Sequence, residues 1–453
     1  MKKILKLAWL AVFLGICLLA VITMPFIRQD GASEKRILAA FPSVWAEDGG
    51  LNLQFPVQFE DWLDDHVGMR GIWRQDYAEL HAAMGASVSD QVIIGKDGWL
   101  YFDETLADYT GVGALTEDER YQVKVVLETL DRALDVPLTV MFVPNKSSVY
   151  PQYMPDMYPR AQEMRTAQWL LENCDADLVD LTDALAKDGL YHKTDTHWNN
   201  YGARIGASVL VGRLNEITGV EAEVPDPEGA CFFAAYAGDL GQMLFPQDPP
   251  EDYQLIYADA GQSYEYEGRY RTPEDLTITT SGGEAPLKLL MLRDSFTNLL
   301  IEPLSNAYAQ VQYRRAMPLP LIDAGEYDAV VLEMVERRIG ELLDAAPMVF
   351  ASQTAAWSGA EANCTVQIAT AAEKEGVRLT GHADRETAKL SGVKVAITAQ
   401  GSTAYYEAFP VRAEEGQGFS LLIPELPEGA QAQVCITGDE TLLSEPVDIA
   451  VTE

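Results

Sequence analysis

Cysteine and histidine are scarce in this chain, with five of each in 453 residues. The cysteines stand at Cys17, Cys174, Cys231, Cys364 and Cys435, and no two have CxxC spacing. That excludes a cysteine-rich zinc module and a thioredoxin-like redox pair, and no metal or other cofactor is expected. Cys364 and Cys435 both fall near the C-terminus, where a disulfide and two buried thiols remain equally open. Basic residues are also few: 33 Lys and Arg stand against 69 Asp and Glu, a net charge of −36. Nucleic acid is excluded as a partner, because phosphate contacts need clustered cations. Such an acidic body suits exposure outside a cell. Internal repeats and low-complexity tracts are lacking, and a hydrophobic content of 48% is that of a folding chain.

Only one long apolar run is present. Lys2, Lys3 and Lys6 precede it; Leu7 to Ile27 then carries no charge, and Arg28 closes it. One helix of that length crosses a bilayer. No clear small-residue cleavage site follows, and bulky Ile16 before Cys17 argues against a lipobox. The lysines favour an N-terminus inside. Residues 1–29 are therefore predicted to be an uncleaved signal anchor, making the protein single-pass in the cell membrane with its body outside the cytoplasm. A cleaved signal peptide, the alternative, gives the same side.

Beyond the anchor, residues 30–116 form a helical and hairpin lead-in. "FPVQFEDWLDDHVGMRGIWRQDYAELHAAM" (55–84) has helical spacing at Phe59, Trp62, Leu63 and Val67, and "QVIIGKDGWLYF" (91–102) is two short strands around a turn. From 117 to 350 strands and helices alternate, which predicts an α/β unit with a mainly parallel sheet and flanking helices. Its strands include "LTVMFV" (138–143), "ADLVDL" (176–181), "LKLLML" (287–292) and "AVVLEM" (329–334). Near-continuous apolar runs of this kind suit strands covered on both faces. A looser, tyrosine-rich insertion spans about 222–280, with Tyr253, Tyr257, Tyr264, Tyr266 and Tyr270. Residues 351–453 show short alternating runs between turns, which predicts a C-terminal all-β sandwich.

Two segments carry chemistry. In "LKLLMLRDSFTNLLIEPL" (287–304) a buried strand ends at Leu292 and Ser295 follows, before an expected helix. A serine there lies at the carboxyl edge of the sheet, where open α/β folds bind ligands. The N-terminus of the following helix would face an oxyanion. Alone, the segment reads as an ordinary helix cap. In "YHKTDTHWNNYGAR" (191–204), Asp195 and His197 sit in the loop before a helix with Ala203, Ala207, Leu210 and Leu214 on one face. Alone, that loop reads as polar capping. Together they supply nucleophile, base and orienting acid, and such triads are defined by roles and not by chain order.

"DTHW" (195–198) with "NNYGA" resembles the signature of SGNH hydrolase-like O-acetyltransferases of the alginate-acetylation (AlgJ/AlgX) type, related to DHHW proteins. "FEDWLDDHVGMR" (59–70), "VIIGKDGWLYF" (92–102), "VPNKSSVYP" (143–151), "GDL" (238–240), "RDSF" (293–296) and "EMVERRI" (333–339) resemble further blocks in order. The resemblance covers about 50–345 and implies an SGNH-like fold with permuted motif order. It implies Ser295 as nucleophile, His197 as base and Asp195 as its orienting acid. Two positions depart from the pattern: Arg293 replaces the usual Gly before Asp-Ser, and Thr196 stands where DHHW proteins have His. Asn145 and Asn298 are candidate oxyanion donors. Lys146, Arg293, Arg337 and Trp198 are candidates to line the site, although Lys146 and Arg337 also suit structural ion pairs.

The resemblance implies an extracytoplasmic O-acetyltransferase acting on a cell-surface polysaccharide through an acyl-serine, with a multi-span membrane acyltransferase as acyl donor. An SGNH-type carbohydrate esterase uses the same triad with water as acceptor. An inactive glycan-binding or assembly scaffold is the third alternative, against which the three triad residues together argue.

Overall fold

The computed structural model describes residues 2–26, 38–46, 49–84, 87–225, 231–257, 262–357 and 361–451. The boundary expected at 29/30, and the close of the apolar run at Ile27 and Arg28, lie outside these residues. The chain opens with the helix Lys2–Thr23, in which Leu5–Thr23 has a mean hydropathy of 2.5 and an almost wholly exposed surface. The single helix expected over 55–84 is two, Phe55–His66 and Arg70–Ala83. The chain breaks between them because Met69 takes a left-handed φ of 62°. Gly68 there donates its N–H to Ala20 O at 3.2 Å, an approach so close that a Cβ at this position would lie 2.4 Å from the same oxygen.

A short hairpin, β1 (Val92–Ile94) and β2 (Leu100–Phe102), leads into a seven-stranded sheet. That sheet contains β3 (Leu138–Val143) and β4 (Leu178–Asp180). A second hairpin follows, β5 (Cys231–Ala237) with β6 (Glu251–Tyr257). The remaining sheet strands are β7 (Glu265–Glu267), β8 (Thr277–Ser281), β9 (Ala285–Leu292), β10 (Tyr308–Arg314) and β11 (Ala329–Val335). The order is β4-β3-β11-β9-β10-β8-β7. Pairings from β4 to β10 are parallel, and β8 and β7 extend the edge antiparallel.

The apolar strands are two-faced, as their composition requires. On β9, Leu289 and Met291 enter one core while Leu290 and Leu292 enter the other. The helix Asn200–Thr218 covers the first face with Ala203, Ala207, Leu210 and Leu214. The helix Glu117–Ala133 covers the second with Val123, Val126, Leu127 and Leu130. Its start is fixed by a capping box between Thr116 and Glu119. From β9 the chain passes to β10 on one side and then returns to β11 on the other. That reversal opens a crevice at the carboxyl ends of β9 and β11, and Ser295 follows β9 there.

The C-terminal region is all-β: β12 (Val366–Ala372), β13 (Val377–Ala383), β14 (Gly392–Ala399), β15 (Ser402–Val411), β16 (Gln417–Ile423), β17 (Gln431–Thr437), β18 (Thr441–Leu443) and β19 (Val447–Asp448). It is not a sandwich of two separate sheets. One hydrogen-bonded path, β12-β13-β16-β15-β14-β17-β18, curls on itself. The cause is the ten-residue β15, which pairs with β14 through Ala408 and with β16 from Phe409 onward. Cys364 and Cys435 are free thiols, both buried.

Candidate active site

The loop Tyr191–Trp198 is closed on itself before the following helix begins. Tyr191 and Trp198 form an isolated β-bridge, and Asn199 caps the helix by accepting the Gly202 N–H at 2.9 Å. Beneath the loop, Lys146 is buried and spends its ammonium on three carbonyls: His192 and Lys193 at 3.1 Å each, and Asp195 at 2.5 Å. An ammonium has three N–H donors, so every one is used. Burial pulls this lysine's pKa down to about 8, against the opposing pull of Asp195, Asp239 and Asp252.

His197 Nε2 meets Ser295 Oγ at 2.8 Å, and its Nδ1 meets Asp195 Oδ1 at 2.7 Å. An ionised carboxylate only accepts, so Nδ1 carries the proton and Nε2 presents a lone pair to the serine hydroxyl. Asp195 Oδ1 also accepts the His197 backbone N–H at 2.9 Å. Its Oδ2 accepts from Tyr236 OH and from the Asp239 N–H, each at 2.8 Å. Burial alone would raise the pKa of Asp195. The bonds and charge from His197, with the backbone donors, outweigh burial and hold it well below the usual carboxylate range.

Trp198 locks the same loop to the serine turn. Its Nε1 donates to Phe296 O at 3.0 Å, and the two rings meet edge to face at 5.6 Å. Adjacent residues of one loop thus hold adjacent residues of the other: His197 on Ser295 and Trp198 on Phe296. The helix expected directly after Ser295 is instead a 3-10 turn, Ser295–Leu299, before a short helix Ile301–Ala307. Asp294 caps that turn, accepting the Phe296 N–H on Oδ1 at 2.8 Å and the Val335 N–H on Oδ2 at 2.9 Å. The Phe296 N–H is therefore already engaged and does not face an oxyanion.

A cavity of about 320 Å³ opens over Ser295 and His197. Of the sequence candidates, Asn298 and Trp198 line it, and Asn145, Lys146, Arg293 and Arg337 do not. Each exclusion has a cause. Asn145 is buried and bound to Asp108 and Glu336, and Lys146 is spent under the loop. Arg293 turns to the carbonyls of Pro273 and Asp275 at 2.6 and 2.9 Å. The Arg337 guanidinium lies 5.4 and 5.7 Å from the Phe102 and Phe296 ring centroids, backing the site from behind. Sequence reading gave no role to Tyr236, His192, Gln254 or Glu274, all of which line the cavity.

The Asp195, His197 and Asp239 side chains are the one group among the described residues whose ligand atoms approach closely enough, within 4.8 Å, to suggest a metal site. The donors engaged there argue otherwise. Asp195 accepts four hydrogen bonds, and Asp239 Oδ1 takes the N–H groups of Thr196 and Leu240 at 2.7 Å. Both Asp195 oxygens and Asp239 Oδ1 are engaged by N–H and O–H donors, an environment that suits an anion and not a bound cation.

Residues 92–269 match the family described as "SGNH hydrolase-like domain, acetyltransferase AlgX". The chain is 28% identical over 261 residues to the "Probable alginate O-acetylase AlgJ" of Pseudomonas syringae pv. tomato, covering 55% of this chain and 62% of that protein. It is 30% identical over 173 residues to the protein of that name in Pseudomonas aeruginosa, covering 37% and 44%. This chain thus spans less than two thirds of these relatives. The solved O-acetyltransferase domain of Pseudomonas putida AlgJ aligns with a TM-score of 0.37 at 20% identity, over 55% of this chain and 92% of that one. The resemblance first read from "DTHW" is therefore matched along 92–269, where the chain is similar to the SGNH hydrolase-like acetyltransferases.

Proposed function

We propose that this protein is a serine O-acetyltransferase that acetylates hydroxyls of a surface polysaccharide. The observation that carries the proposal is the 2.8 Å contact between Ser295 Oγ and His197 Nε2, with Nδ1 held by Asp195. Ser295 Oγ attacks the acetyl carbonyl of the donor while Nε2 takes the hydroxyl proton. The tetrahedral intermediate collapses, the proton passes to the leaving group, and an acetyl-serine remains. A sugar hydroxyl then attacks that ester, gives its proton to Nε2, and leaves acetylated with Ser295 regenerated. Asp195 keeps the tautomer correct and stabilises the imidazolium in both halves.

The apolar helix Lys2–Thr23 acts in this proposal as the membrane anchor, with lysines on its inner side and the body outside. Residues 117–350 carry the chemistry, preceded by a lead-in at 30–116 and followed by a β region at 351–453. The acyl group comes from across the membrane through a multi-span acyltransferase. The test is labelling with an activated acetyl ester. Wild-type protein should acquire an acetyl group on Ser295, Ser295→Ala should not, and the acceptor glycan should discharge it faster than water. Discharge by water alone would make the protein an esterase, and absence of any label on Ser295 would refute the proposal.

A further inference from the structure

The relatives are named for alginate, a polymer of uronic acids that carries one carboxylate per sugar. The cavity over Ser295 has the wrong charge for such a chain. Three carboxylates line it, Asp195, Asp239 and Glu274, and no Lys or Arg side chain does, among the described residues. Arg315 pairs with Glu274 but lines a separate cavity beside Met317 and Leu332. Arg293 and Arg337 are buried, one on backbone carbonyls and on Asn298 Oδ1 at 2.7 Å, and the other behind Phe296. Asp252 adds a fourth carboxylate one layer back, 3.8 Å from His192 Nδ1.

Glu274 and Asp195 are held in the charged form. Burial opposes the charge on Glu274, but hydrogen bonds from Asn298 and Arg315 hold its pKa below the usual glutamate value. Asp195 is held low in the same way. The rest of the cavity suits an uncharged sugar. Gln254 offers an amide, His192 offers a buried ring whose Nδ1 has no hydrogen-bond partner, and Phe296 offers an aromatic surface, while the Asn298 amide is held between Glu274 and Arg293. Two like charges repel more strongly beside a protein surface than in bulk water. A uronate in the cavity meets Asp239 and Glu274, the latter partly offset by its pair with Arg315, and the chain's net charge of −36 adds to the repulsion at a distance.

We propose that the acceptor is a glycan of uncharged sugars, hexoses or N-acetylhexosamines, and that the carboxylate-lined cavity rejects polyuronates. This rests on the proposed transferase function and names the acceptor class of that same site. Rejection by like charge is a recognised route to specificity, because it costs nothing with the correct partner.

The test is binding by full-length Ser295→Ala protein in detergent. The probes are β-1,4-glucan, β-1,4-mannan and N-acetylglucosamine tetrasaccharides against tetramannuronate and tetraguluronate, each at 20 and 200 mM salt. At least one neutral probe should bind tenfold or more tightly than either uronate at low salt. The gap should narrow at high salt as repulsion is screened. Glu274→Gln, added to the same protein, should raise the ratio of uronate to neutral-probe affinity severalfold. Equal or tighter uronate binding, or uronate affinity that falls with salt, overturns the proposal, as does failure of every sugar to bind. Ser295 labelling is a separate readout: its absence sinks the transferase function while leaving a measured sugar preference in place.

Discussion

Tyr236 gives its hydroxyl hydrogen to Oδ2 of Asp195 across 2.8 Å, tying the β5–β6 hairpin to the carboxylate that orients His197. The hairpin therefore buttresses Asp195 from outside the sheet. Tyr236→Phe should keep the fold, because the ring still stacks on His192 at 4.5 Å. A hydrogen bond to a charged group contributes about 1.5–3 kcal/mol. Ester turnover should thus fall about 10- to 100-fold, while Asp195→Asn, which favours the wrong tautomer, should cost roughly 10⁴-fold. Circular dichroism alongside a chromogenic acetyl-ester assay checks both.

Lys146→Met matches the lysine stem but strands three carbonyl oxygens, those of His192, Lys193 and Asp195. An unsatisfied buried acceptor costs about 1–3 kcal/mol. The melting temperature should drop by several degrees, and turnover should fall at temperatures where the variant is fully folded. Unchanged turnover in the folded variant would show that the ammonium does not hold the Asp195 loop in place.

Gly238→Ala tests how closely the hairpin approaches that loop. A Cβ at this position would sit 2.2 Å from the Thr194 carbonyl carbon, a backbone atom that cannot swing aside. The Asp239 N–H that supports Asp195 is the next group along the chain. Turnover should fall at least tenfold with little loss of secondary structure, and wild-type kinetics would contradict the tight contact.

Asp108 offers a pH signature away from the triad. Burial, reinforced by the charge of Glu336, raises its pKa to about 6, against the lowering effect of Asn145, Arg165 and Arg337. A carboxyl whose folded pKa is raised contributes stability that is complete below its ordinary value near 4. That contribution is lost as pH rises through 6. Asp108→Asn should therefore melt close to wild type at pH 4 and above it at pH 7. Parallel melting curves at both pH values would refute the assignment.

Local patterns in the sequence were informative and long-range ones were not. "LTVMFV" and "LKLLML" declared two-faced strands because both faces of β3 and β9 are covered. "DTHW" shows only its own internal bond, Asp195 to His197, as a local pattern; its contacts with Ser295 and Phe296 reach 98 residues along the chain. Tyr236 escaped notice among the tyrosines of the insertion. Its position depends on hairpin register, opposite Asp252, and composition carries no trace of register. Asn145 and Lys146 are candidates from sequence to serve the site, but neither lines the cavity. Whether a side chain at these positions points up into the cavity or down beneath a loop depends on partners 37 to 191 residues away, such as Asp108 and Glu336.

The helix Glu117–Ala133 shows how firmly the two halves of the molecule are joined. It gives Val123, Val126 and Leu127 to the core beneath the central sheet and Val125 to the core inside the curled one. In return, β15 sends Phe409 and Val411 into the core beneath the central sheet. Neither half can open without exposing apolar surface in the other, so calorimetry should record a single heat-absorption peak for residues 117–453. A chain cut at 350 would leave Phe409 and Val411 missing from a packed interior and should precipitate on expression. The β region is in that sense part of the hearth of the fold and not a room built onto it.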